Sequence, residues 1–164
     1  MTAPQVANPA APATMTASAT ASAPILFGTD FSPASEPALR KAIEMARKEG
    51  AELIIAHVYE SPAGMSHSGP ADELFQADNE EKLRVAAVKG LEPVIAEAQA
   101  AGVRVRGVAV AGHATHRLAE LARENGAALL VVGTHGRTGI KKLITGSVAS
   151  DLVATAPCPV LTVR

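Results

Sequence analysis

The chain has 164 residues, with 48% hydrophobic and 19% charged side chains and a formal net charge of -1. That length and composition fit one globular domain with a core of its own. The near-neutral charge and 2% aromatic content argue against a nucleic-acid or anionic-membrane partner, which would need a basic field or a stacking platform. A single cysteine excludes an internal disulfide framework. No apolar run approaches the roughly 18 residues of a membrane span, so the composition points to a soluble, cytoplasmic protein.

Residues 1–24 are nearly all Ala, Pro, Thr and Ser, with no charge before Asp30. Such a segment cannot offset its ordering entropy, and it reads as a disordered tail outside the fold. It lacks the basic start and Leu-rich centre of a signal peptide. Met15 lies inside it as an alternative start.

From Ile25 onward strands and helices alternate. Ile25-Leu26-Phe27 reads as a short strand ending at Gly28-Thr29-Asp30, and Ser32-Pro33 opens a helix with Ser32 as its N-cap. Leu39, Ala42, Ile43 and Ala46 share one face, and Gly50 ends that helix. Leu53 to Tyr59 reads as a buried strand, and residues 61–71 as a loop carrying His67. A long helical region follows over about 72–101, with a kink or break expected at Gly90 and Pro93. Residues 103–110 read as a third strand and 115–125 as a helix with Leu118, Leu121 and Ala122 in the core. The apolar run 127–132 is a strand covered on both faces. A glycine-punctuated loop spans 133–146, a last helix 147–156, and a final strand Val160 to Val163. Strands separated by helices are parallel with right-handed crossovers, giving a five-stranded doubly wound α/β sandwich. Ligands bind such sheets beyond the carboxyl ends of the strands.

Two strand ends look specialised. One is Gly28-Thr29-Asp30. The other is Gly133-Thr134-His135-Gly136, followed by Gly146-Ser147 at a helix start. Glycines let backbone approach a ligand closely, and a helix N-terminus presents unpaired N–H groups to an anion. Arg137, Lys141 and Lys142 add positive charge. The arrangement describes a phosphate cradle that is neither a Walker loop nor a G-x-G-x-x-G fingerprint. Taken singly, the residues have simpler roles. Asp30 can cap a turn, and His57 at a strand end is structural. His113 and His116 have a metal-ligand spacing without an evident third ligand, and Cys158 is a small packed residue.

The spacing Gly133-x2-Gly136-x9-Gly146-Ser147 matches the G-2x-G-9x-G-[ST] motif of the universal stress protein family. The stretch from Val131 to Arg164 resembles that family's C-terminal block, and residues 25–46 are similar to its first strand and helix. The resemblance spans 25–164 and implies an adenine nucleotide alpha hydrolase-like sheet of order 3-2-1-4-5. That order would bring Asp30 and Gly133 to one crevice. In this family the complete glycine motif marks the members that bind ATP. Carried over by position, Thr29 would flank the base, and Asp30 and Val58 would contact the adenosine side. Gly133, His135, Gly136 and Arg137 would line the nucleotide, and Gly146, Ser147 and Val148 would hold its phosphates. A divalent ion such as Mg2+ would ride on those phosphates. The resemblance also implies a homodimer joined through the C-terminal strand. Gly28 departs from the residue many members carry there, and the Gly90/Pro93 interruption is expected to be remote from the site. No residue stands out as a base for activating water, so a nucleotide-dependent regulatory switch with little hydrolysis is the leading reading. A nucleotide-independent dimeric interaction module and a slow ATP-hydrolysing enzyme are its alternatives.

Overall fold

The computed structural model describes residues 6–7, 22–60, 70–134 and 148–164, with side chains at 22–60, 77–134 and 148–164. Its main strands are β1 (Ile25–Gly28), β2 (Leu53–Tyr59), β3 (Val105–Ala111), β4 (Leu129–Gly133) and β5 (Val160–Val163). The helices are α1 (Glu36–Glu49), α2 (Pro70–Ala100), α3 (Ala114–Glu124) and α4 (Val148–Thr155). All strands pair in parallel, in the order β3-β2-β1-β4-β5, which is the expected 3-2-1-4-5 sheet. Residues Val6–Ala7 add a short sixth strand on the outer edge of β3, opposite Gly107 and Val108. This differs from the expectation that all of 1–24 stands outside the fold. The reason is local: an edge strand carries unpaired N–H and C=O groups that any extended segment can satisfy.

Strand alternation decides which residues face which helices. Ile25, Phe27, Leu53, Ile55 and Val131 pack against α1 and α2. Leu26, Ile54, Val108, Leu130 and Val132 pack against α3 and α4. With both faces covered, β1 and the first half of β2 are apolar and buried throughout. Each fully buried Leu or Ile contributes about 1.5–3 kcal/mol. α1 buries Ala38, Leu39, Ala42, Ile43 and Ala46, as its periodicity predicts, and Gly50 closes it in the left-handed conformation.

Two local expectations change. Ser32 stands before a 3-10 turn (Pro33–Ser35) and makes no side-chain cap; α1 proper starts at Glu36. The Ser32 hydroxyl donates to Asp30 instead. Second, α2 runs unbroken through Gly90 and Pro93. Ala87, Leu91, Ile95 and Ala98 keep an uninterrupted buried stripe against the sheet. Pro93 and Lys89, whose carbonyl loses its partner, both lie on the exposed side. On that side the unpaired carbonyl is open to solvent, and the buried stripe keeps the helix continuous through Pro93.

Among the described residues no helix is long and apolar enough to cross a membrane.

Candidate functional site

The order in which strands are added reverses at β1. From β1 the chain goes through α1 to β2 on one side, whereas β4, on its other side, leads through α4 to β5. The register pairs Gly28 with Ala56 of β2 and with Val132 of β4. The chain therefore leaves β1 as Thr29-Asp30 and β4 as Gly133-Thr134 at the same level. This is the topological switch point, where parallel α/β sheets hold ligands. Val58 lies two residues past Ala56, half-buried against the α3/α4 core. Val148 begins α4 and is partly exposed. Thr29, Asp30, Val58 and Gly133 are thus gathered at the carboxyl ends of neighbouring strands. His135, Gly136, Arg137, Gly146 and Ser147 lie outside the described residues, as do Lys141, Lys142 and His67.

The loop after β1 is held by its own polar groups. Asp30 Oδ1 accepts the Ser32 N–H at 3.0 Å and the Ser32 hydroxyl at 2.6 Å, closing a turn of the kind Asp favours. Thr29 is buried; its Oγ1 accepts the Phe31 N–H at 3.0 Å and lies 3.2 Å from the Ser35 hydroxyl. The Thr29 side chain consequently faces α1, and what it offers the crevice is main chain. His57 Nδ1 lies 2.8 Å from the Thr29 carbonyl, consistent with the structural role expected of it.

Nothing in the sequence marks Phe31 as important. It is the one non-glycine among the described residues with a positive φ, 61°, a conformation that costs about 1–2 kcal/mol. Its ring stacks on His57 with centroids 4.1 Å apart and planes inclined 27°. A Cβ on Gly90 would stand 2.6 Å from the Phe31 ring. The glycine inside α2 is therefore what lets Phe31 seat, and the Gly90/Pro93 region is adjacent to the β1 loop, not remote from it. A groove of about 250 Å³ between α1 and α2 has Thr29, Phe31, Ser35, Gly90 and Pro93 in its wall.

Gly28 has a similar explanation. A Cβ there would meet Leu118 Cδ1 at 2.9 Å and Val132 Cγ1 at 3.2 Å. The absent side chain lets α3 approach β1 closely just below the crevice.

The remaining candidates have other surroundings. The rings of His113 and His116 stand 5.4 Å apart at the start of α3. Cys158 packs on the α3/α4 core, where burial pushes its thiol pKa up, away from a reactive thiolate. Tyr59, at the end of β2, is raised by burial and then by the nearby Glu80 carboxylate.

Comparison with known proteins agrees with this architecture. The sequence model of the Universal stress protein family matches residues 22–164. The chain is 31% identical to Universal stress protein YxiE of Bacillus subtilis, over 85% of this chain and 97% of that one. The solved structure of MJ0577 from Methanocaldococcus jannaschii superposes with a TM-score of 0.75 at 25% identity, covering 86% of this chain and 95% of the other. A universal stress protein solved in complex with cAMP is 29% identical, with a TM-score of 0.66 over 88% of this chain and 98% of that one. Together with the five-stranded sheet and its switch point, these likenesses assign the chain to the universal stress protein family.

Proposed function

We propose that this protein binds ATP in the crevice between β1 and β4 and acts as a regulatory switch, with little or no hydrolysis. The observation that carries the reading is the common level at which β1 and β4 release the chain, at the point where the strand order reverses. The sequence adds the second half: Gly133, Gly136, Gly146 and Ser147 in the family's ATP-binding spacing, immediately before α4. The first turn of a helix carries unpaired N–H groups and a partial positive charge that suit a phosphate. The related structure with cAMP supports an adenine nucleotide as ligand. In this reading Val58 and the β1 loop hold the nucleoside. His135 and Arg137 line the nucleotide, and Gly146, Ser147 and Val148 hold its phosphates. A divalent ion such as Mg2+ would take oxygens from those phosphates and offset their charge. Asp30 keeps the β1 loop in shape and borders the ligand. Protein purified from cells and acid-quenched should release adenine nucleotide, and titration calorimetry should give saturable ATP binding. Absence of both sinks the reading.

A homodimer through β5 belongs to the same proposal, and the outer edge of that strand, unpaired among the described residues, favours it. Leu130 N–H bonds the Pro159 carbonyl and Thr134 N–H the Val163 carbonyl, in register with Leu130 opposite Val160. In a parallel ladder this leaves the main-chain groups of Val160 and Thr162 pointing away from β4. Proline is tolerated at such an edge position. Thr162→Pro should therefore convert a dimer to a monomer in native mass spectrometry or light scattering, while the thermal midpoint falls by less than about 4 °C, roughly 1 kcal/mol for this size. A variant that stays dimeric argues against β5 as the interface. The same spectra report bound nucleotide. A dimer without nucleotide would favour the interaction-module alternative.

A further inference from the structure

Thr115 is 6% exposed, and its Oγ1 has no hydrogen-bond partner among the described residues. A threonine near a helix start ordinarily caps the helix or bonds back to a carbonyl one turn earlier. Thr115, the second residue of α3, does neither. A buried hydroxyl without a partner is costly and calls for an explanation.

Its position supplies one. α3 packs on β2 and β1 and buries Leu118, Ala119 and Ala122 against the sheet. Leu118 reaches the space that a Cβ on Gly28 would fill. Thr115 precedes Leu118 by three residues and Ala119 by four, so it shares their face. It stands about 4.5 Å nearer the start of α3. A crossover helix runs antiparallel to its strands, so that direction leads past Gly28 to the carboxyl ends of β1 and β2. Val58 packs on the same α3/α4 side of the sheet. The start of α3 thus lies on the β1–β2 side of the crevice.

We propose that Thr115 hydrogen-bonds the nucleoside half of the bound nucleotide through Oγ1 and helps set its selectivity. This rests on the nucleotide reading above. An uncharged hydroxyl on the β1–β2 side suits a ribose hydroxyl or a base nitrogen, both of which accept or donate one neutral hydrogen bond.

The test compares wild type, Thr115→Val and Thr115→Ser by calorimetric titration with ATP, 2′-deoxy-ATP, GTP and inorganic tripolyphosphate, and by thermal unfolding without ligand. Thr115→Val should weaken ATP binding about three- to tenfold, the effect of one neutral hydrogen bond. Thr115→Ser should stay within about twofold. Tripolyphosphate should bind all three proteins equally. Without ligand, Thr115→Val should melt about 1–4 °C higher, because an isosteric apolar group replaces an unsatisfied one. A residue that only packs gives no such opposition between stability and affinity. If the Thr115→Val defect disappears with 2′-deoxy-ATP, the ribose 2′-hydroxyl is the partner; if it persists there but disappears with GTP, the base is. Equal ATP affinity in wild type and Thr115→Val overturns the proposal and leaves the nucleotide reading standing. Failure of wild type to bind ATP overturns both.

Discussion

Gly146→Val should weaken ATP binding at least about a hundredfold while leaving the fold in place. Gly146 and Ser147 are the last residues before α4, where first-turn amides have no partner inside the helix. A phosphate bound there takes charge-assisted hydrogen bonds worth about 1.5–3 kcal/mol each. A branched side chain at the closest approach displaces the phosphate and forfeits two of them or more, which is about 3 kcal/mol. The readout is direct titration, supported by thermal unfolding with and without nucleotide. At one hundred times Kd the ligand adds about 2.7 kcal/mol to wild-type stability. At the same ATP concentration Gly146→Val should gain less than about 0.5 kcal/mol. Gly146→Ala gives the graded case between them. If Gly146→Val binds ATP as tightly as wild type, the phosphate cradle lies elsewhere. If it loses ATP yet keeps all cellular function, the interaction-module reading gains.

The elements of this fold were legible where burial alone dictates the pattern. Leu53 to Tyr59 and Val160 to Val163 are strands with the bounds their composition predicts. Leu118, Leu121 and Ala122 are buried as the helical period requires. The convergence of Asp30 and Gly133 followed only once the strand order was assumed, because nothing in either segment specifies its neighbour in the sheet. Local rules failed where tertiary contacts compete with them. Ser32 has the right residue type for an N-cap, but the Asp30 carboxylate takes its hydroxyl and N–H first. Pro93 breaks isolated helices, yet it stands on the wet side of a helix whose buried stripe is intact. Phe31 gave no sequence signal, since its positive φ and its stack on His57 depend on a loop and a strand 26 positions away. Thr115 falls inside a helix that the periodicity predicts, but nothing in a sequence distinguishes a satisfied hydroxyl from an orphaned one.

The second large effect is expected at Gly90, far along the chain from any ligand motif. Glycine in a helix is disfavoured by about 1 kcal/mol relative to alanine, so propensity alone predicts that substitution there stabilises. Packing opposes it. The substituent would begin 2.6 Å from Phe31 Cε2 and 2.8 Å from Cζ, and the ring is held on His57 at 4.1 Å. For alanine the two effects nearly cancel. Valine brings two more methyl groups and little helix propensity, so overpacking of about 1–3 kcal/mol prevails. Gly90→Val should lower the thermal midpoint by roughly 3–10 °C. Because Phe31 follows Asp30 directly and its N–H bonds Thr29 Oγ1, expelling the ring also disturbs the β1 loop. ATP binding should weaken about tenfold or more, as for any loss near 1.4 kcal/mol. The decisive measurement is the double-mutant cycle with Phe31→Ala. Removing the ring removes the clash, so Gly90→Val should cost little in that background, with a coupling of about 1–3 kcal/mol. Additive effects would mean that Gly90 serves the helix for another reason and that the α2 contact does not shape the nucleotide loop. Coupling in stability together with coupling in ATP affinity would make α2 the element through which occupancy of the crevice reaches the far side of the sheet. The contact is already built for it: one ring, pinned between a strand histidine and a bare stretch of helix, beside the aspartate that follows β1.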